Sequence, residues 1–134
     1  MRLYELVNRY HIGTKLSCAE AMFKACNEYF HLELGEDARK MFSVMGLGMQ
    51  SEMSSCGAFT VAVGVIGFMT AQEGQTDYDN IEGYHMICEL IERVDEKFGT
   101  RICSELKQQK FKNFKDPCDF VVEEISRKLE LVIQ

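Results

Sequence analysis

The chain is short of the residues that break or separate folding units. It has a single proline, no low-complexity tract, no internal repeat and no Pro/Gly/Ser linker. That leaves 134 residues, 46% of them hydrophobic, to be read as one domain over 1–134, large enough to bury a core without disulfide staples. Positive charge is also scarce: a formal net charge of -6 argues against a general nucleic-acid binder, because phosphate contacts need a surplus of lysine and arginine on at least one face. Long apolar runs are lacking too. The stretch 56–71 is too short and too glycine-rich for a membrane span and reads as a buried central helix. The first residues, Met-Arg-Leu-Tyr-Glu-Leu-Val-Asn-Arg, carry charges where a signal peptide has its apolar stretch, so a cytoplasmic protein is expected. There is no phosphate-binding glycine loop, no G-x-S-x-G, no H-E-x-x-H and no C-x-x-C-H, so nucleotide, hydrolase and haem readings lack support.

What the chain does have is six cysteines, which in a reducing compartment are expected to be reduced, metal-bound or redox-cycling. Helical periodicity organises them. Leu3, Leu6, Val7 and Tyr10 predict a first helix over about 2–12, stopped by Gly13. Ser17 and Glu20 form a capping box that makes Cys18 the first residue of a second helix, with the stripe Ala19, Phe23, Cys26 and Phe30. A third helix is expected over about 36–45, ending at Gly46-Leu-Gly48. Ser54 and Ser55 are expected to cap a fourth, with Cys56 in its first turn and Gly57, Ala58, Ala62, Gly64 and Gly67 as small packing surfaces. A long helix over about 78–98 stops at Gly99, Thr100 can cap a short helix holding Cys103, and Asp116-Pro117 opens the last helix with Cys118 in its first turn. The expected fold is an all-α single-domain bundle of about six helices around the small-residue helix.

Cys18, Cys56, Cys103 and Cys118 thus fall at predicted helix starts, where unpaired N–H groups and the helix dipole favour a thiolate; Cys26 and Cys88 are mid-helix residues on apolar stripes. The order Ser17-Cys18-Ala19-Glu20-Ala21, Met45-Gly46-Leu47-Gly48, Cys56-Gly57-Ala58, Cys103-Ser-Glu-Leu and Cys118 resembles the proteins grouped as redox-active by four cysteines and a C-G-A-x-x-G motif. Val61 stands where that motif has its final glycine. The resemblance implies that Cys18, Cys56, Cys103 and Cys118 are the functional set, with Cys26 and Cys88 outside it.

Two chemistries follow for such a set. In the first, four thiolates from separate helix starts bind an iron–sulfur cluster or a single metal ion for electron transfer, although the chain lacks the C-x-x-C ligand pair of zinc ribbons and ferredoxins. In the second, Cys56 is the nucleophile of thiol–disulfide exchange and one of Cys18, Cys103 or Cys118 resolves it. The partner is then an unidentified redox protein, and a homodimer is compatible with the chain. Two Glu-x-x-His pairs, Glu28/His31 and Glu82/His85, have the spacing used by di-iron bundles, but helical projection turns both carboxylates to solvent and leaves His31 as a dipole partner at a helix end. Lys107, Lys110, Lys112 and Lys115 interleave with Phe111 and Phe114, a pattern read as a solvated connector pinned by two phenylalanines. A non-catalytic interaction module with Met41, Met45, Met49 and Met53 at its interface is the remaining reading.

Overall fold

A computed structural model describes residues 1–134 as eight helices: α1 (Leu3–His11), α2 (Cys18–Tyr29), α3 (Glu36–Phe42), α4 (Gly46–Gln50), α5 (Gly57–Thr70), α6 (Ile81–Phe98), α7 (Cys103–Lys107) and α8 (Pro117–Ile133). The only β feature is one bridge between Ser55 and Ile102. The all-α expectation holds, with eight helices in place of about six.

The fold centres on α5, which is apolar on almost every side and packs against α2, α6 and α8. Val61, Ala62, Val65 and Ile66 are buried there, meeting Met22 of α2, Leu90 of α6 and Ile125 and Leu129 of α8. Each such side chain contributes on the order of 1.5–3 kcal/mol when taken out of water. Helix α1 lies across α2 and α8, burying Leu3, Leu6 and Val7. One carboxylate is buried with this core: Glu130 accepts from the Leu3 N–H at 3.2 Å and the Tyr29 hydroxyl at 3.0 Å, and Arg2 Nε stands 2.8 Å away. A buried charge with that many partners is satisfied, and it fastens α1 to α8.

Three local expectations need correction. The third helix stops at Phe42, three residues early, and the segment after it turns with the opposite hand: Leu47, Gly48, Met49 and Gln50 have φ of 53°, 57°, 62° and 67°. Glycines at 46 and 48 open this path, and the turn is tied by Glu52 N–H to Leu47 C=O at 2.9 Å and Ser51 N–H to Gly48 C=O at 3.3 Å. Neither Ser54 nor Ser55 caps α5. The backbone there pairs with residues 101–104, Cys103 N–H donating to Ser54 C=O at 2.9 Å and Cys56 N–H to Arg101 C=O at 2.8 Å, so Cys56 itself becomes the N-cap. Helix α6 begins at Ile81, because Asn80 caps it by accepting from Gly83 N–H at 3.0 Å while Asp77–Asp79 make a separate single turn.

The lysine-bearing connector is held as expected. Phe111 stacks against Phe98 and Phe120, Phe114 packs on Phe120 as well, and Lys107, Lys110, Lys112 and Lys115 are exposed around them.

Candidate functional site

The site begins with two helix starts brought into contact. Ser17 caps α2 as its sequence predicts, accepting from Glu20 N–H at 3.2 Å while Glu20 Oε1 accepts from Ser17 N–H at 3.1 Å, and this fixes Cys18 as the first helical residue. Cys56, the N-cap of α5, is brought beside Cys18, whose sulfur lies against the start of that helix, and the two thiols influence each other's ionisation in opposite directions. Gly57 makes the approach available. A Cβ at that position would stand 3.0 Å from Cys18 Sγ and 2.6 Å from the Met45 carbonyl oxygen, both tighter than ordinary contact. The backbone N–H groups of Ala58, in the first turn of α5, and of Leu47, in the left-handed turn, favour the thiolate form of Cys18. That turn serves a second sulfur too: a Cβ on Gly48 would lie 2.6 Å from Cys103 Cβ, so only glycine lets the chain pass so close.

These surroundings separate the four cysteines into one strongly acidic thiol and three weakly acidic ones. The Cys56 thiol holds the Cys18 sulfur as a thiolate, lowering its pKa to about 6; burial opposes this, and the Ala58 N–H, the charge of His11 and the Leu47 N–H support it. Cys56 is driven the other way, well above the ordinary thiol value, because it is the donor in the same hydrogen bond and because burial and the Cys18 charge both disfavour a second anion. Burial raises Cys103, and the Cys18 charge adds to it. Cys118, whose N–H donates to the capping Asp116 at 2.9 Å, is pushed up to about 12 by burial, then by the charges of Asp116, Cys18 and Cys103. At neutral pH the group is one thiolate among three thiols, and the charge on Cys18 is felt at each of the other three.

All six cysteines are free thiols. Cys26 is fully buried in the core, where burial raises its pKa, and Cys88 is half-buried on α6 beside the Tyr84 hydroxyl. No group of three or more His, Cys, Asp or Glu side chains is disposed to hold a metal ion. The two Glu-x-x-His pairs do not converge either: Glu28, His31, Glu82 and His85 are all exposed. His31 lies just past the end of α2 at φ 53°, in the left-handed position that glycine usually fills after a helix.

Two titratable side chains pair where no sequence spacing marks them. His11, the last residue of α1, is nearly buried, and its Nδ1 lies 2.7 Å from Asp119 Oδ1 on α8. No local pattern announces this pair, because its members sit on the first and last helices. A groove of about 350 Å³ lined by Met49, Ser54, Ser55, Phe59, Thr60 and Val63 runs beside the start of α5.

No helix is long and apolar enough to cross a membrane. No curated protein and no solved structure matches the chain. A family model does, over residues 16–132, which takes in Cys18, Cys56, Cys103 and Cys118 together with the turn and helix start that bring the first two into contact. The chain belongs to the family described as "putative redox-active protein (C_GCAxxG_C_C)".

Proposed function

We propose that the protein exchanges electrons with disulfides through the Cys18–Cys56 pair. The meeting of Cys18 with the helix start that Cys56 caps, where one thiol is favoured as the thiolate and the other as the thiol, carries the reading. The Cys18 thiolate attacks one sulfur of a substrate disulfide; a Cys18–substrate bond forms, the substrate S–S bond breaks, and its other sulfur leaves as a thiolate. Cys56 then gives up its proton, and its sulfur attacks Cys18 Sγ. This closes a Cys18–Cys56 disulfide and expels the remaining substrate sulfur. Two electrons have passed to the substrate, whose sulfurs leave as one thiolate and one thiol, the latter carrying the proton from Cys56.

The roles are the reverse of those expected from the sequence. The start of α5 serves both sulfurs, Ala58 N–H reaching each and Phe59 N–H reaching Cys56, but the Leu47 N–H, the His11 charge and the neighbouring thiol favour the anion on Cys18. A redox partner protein in a reducing compartment such as the cytoplasm supplies the disulfide in this reading, which needs free thiols in the resting state.

Alkylation by iodoacetamide, followed residue by residue by mass spectrometry over about pH 4–10, tests it. Cys18 is expected to react first, with a rate that falls as the pH drops through about 6. Treatment with a small disulfide is expected to remove two hydrogens and join Cys18 to Cys56. Stoichiometric iron or zinc in protein purified without oxygen, with all four thiols protected from alkylation, would overturn the reading in favour of a cluster or metal centre.

A further inference from the structure

The two serines before Cys56 do not cap α5, and the backbone at the second of them is only half used. The Ser55–Ile102 bridge is antiparallel, and both of its hydrogen bonds come from flanking residues, Cys103 N–H to Ser54 C=O and Cys56 N–H to Arg101 C=O. In such a bridge the central residue turns its own N–H and C=O away from its partner, toward the opposite edge. Ser55 therefore presents a donor and an acceptor side by side, and no backbone group of the chain bonds to either. The edge is short. Glu52, at φ 62°, ends it on one side and the start of α5 at Gly57 ends it on the other. The same serines line the groove of about 350 Å³, where Met49, 43% exposed, stands with Phe59 and the half-buried Val63. An unpaired edge beside an apolar groove is an arrangement that takes up an extended peptide, backbone to backbone, with alternate side chains turned to the groove. The half-buried Cys18 is within reach of it. Gly57 is two residues from Ser55 and a Cβ on it would stand 3.0 Å from Cys18 Sγ, so that sulfur lies within about 12 Å of Ser55 Cα. About four extended residues span such a distance.

We propose that an extended segment of the disulfide-bearing partner protein adds to the Ser55 edge as a single strand, with one apolar side chain seated among Met49, Phe59 and Val63, and so brings its disulfide to Cys18. This rests on the disulfide-exchange reading and gives its substrate class: a disulfide within an extended, accessible stretch of polypeptide, in preference to a small disulfide. Ser55 N–H donates to a carbonyl of the segment, and an N–H of the segment donates to Ser55 C=O. The two bonds fix direction and register before the sulfurs meet, and they do so whatever side chains the segment carries outside the groove. A second copy of the chain fits the edge poorly. Residues 53–55, between a left-handed residue and a helix start, are too few for the longer ladder that a stable strand-paired dimer needs. A short ladder suits a substrate held only until exchange is complete.

The test uses a short peptide of alternating threonine and leucine with a central cysteine, carried as a mixed disulfide with thionitrobenzoate, whose release is read by absorbance. Cys18 attacks the peptide sulfur and thionitrobenzoate leaves as the thiolate; Cys56 then displaces the peptide thiol and closes the Cys18–Cys56 disulfide. Two further forms of the peptide are N-methylated along one strand edge or along the other. One methylated form should react about 3- to 10-fold more slowly with the reduced protein, through loss of the bond to Ser55 C=O, and the other should react as the parent peptide does. In Val63→Glu, the rate with the parent peptide should fall relative to the rate with a small aromatic disulfide. A peptide with serine in place of the cysteine should slow hydrogen exchange at the Ser55 amide by about 10-fold at saturation. Equal rates for all three peptides, or equal losses in both methylated forms, would overturn the proposal while thionitrobenzoate release and a Cys18–Cys56 disulfide kept the exchange reading. A Ser55 amide already protected in a concentration-dependent dimer would overturn it as well. Protection by the serine peptide in a protein that releases no thionitrobenzoate would keep the docking edge and remove the exchange reading. The peptide comparison needs only the unaltered protein, so it decides even if Val63→Glu does not fold.

Discussion

Replacing Gly57 with alanine probes the site through a single methyl group. The added Cβ would stand 2.6 Å from Met45 O and 3.0 Å from both Cys18 Sγ and Gly46 Cα. Two of these three neighbours are backbone atoms of the turn leading to Leu47, so relief must come from moving that turn, the Cys18 side chain or the start of α5. Overpacking of this kind costs about 1–3 kcal/mol. The helical preference of alanine over glycine returns up to about 1 kcal/mol, less at the first residue of a helix. A net loss of about 1–2 kcal/mol is expected, which lowers Tm by several degrees for a domain of this size. The more specific effect is on Cys18. Pushing its sulfur away from α5 weakens the Cys56 and Ala58 donors together, so the midpoint of Cys18 alkylation should climb from about 6 toward the ordinary thiol value. Thermal denaturation and iodoacetamide kinetics read the two effects separately. A Gly57→Ala protein that is more stable than the parent and alkylates Cys18 with an unchanged midpoint would refute both the tight approach and the origin of the thiolate.

Substitutions at two further positions separate the contributions. Cys56→Ala removes the largest influence on Cys18 and should raise its alkylation midpoint by about 1 unit or more, whereas Cys56→Ser, which keeps a donor, should raise it less; equal shifts would show that the neighbouring thiol is not the cause. Gly48→Ala forces a side chain onto a residue at φ 57° and against Cys103 Cβ at 2.6 Å, so urea denaturation should show a loss of about 2–4 kcal/mol; a loss below about 1 kcal/mol would mean the turn adjusts freely.

What could be read from the sequence is what neighbouring residues decide. Ser17 with Glu20, Asp116 with Pro117, and Gly99 at φ 74° each act within one turn of chain, and the helix ends they predict are where the structure has them. Local capping rules misplace the start of α5 because Ser54 commits its carbonyl to Cys103, a residue far along the chain. The left-handed turn was equally hidden. Met41, Met45, Met49 and Met53 recur every four residues, which looks helical, yet Met41, Met49 and Met53 are exposed and Met49 has φ of 62°. Tertiary contacts with Cys18 and Cys103 override that periodicity. His11 and Asp119 meet only because α1 and α8 pack side by side, so no spacing in the sequence could have paired them. The chemical type of the site was legible from its cysteines; which sulfur ionises was not, since it depends on donors from three separate segments.

The reversed handedness of residues 47–50 has a consequence for the molecule's reserve against unfolding. Inverting the coil sends the Leu47 amide to one sulfur and the bare α-carbon of Gly48 to another within consecutive residues, a delivery that a right-handed turn of the same length would split apart. Leu47, Met49 and Gln50 each oppose that inversion by about 1–2 kcal/mol, a sum comparable to a sizeable part of the 5–15 kcal/mol that holds a typical domain folded. Chirality at three side chains and reactivity at one sulfur are therefore drawn from the same narrow margin.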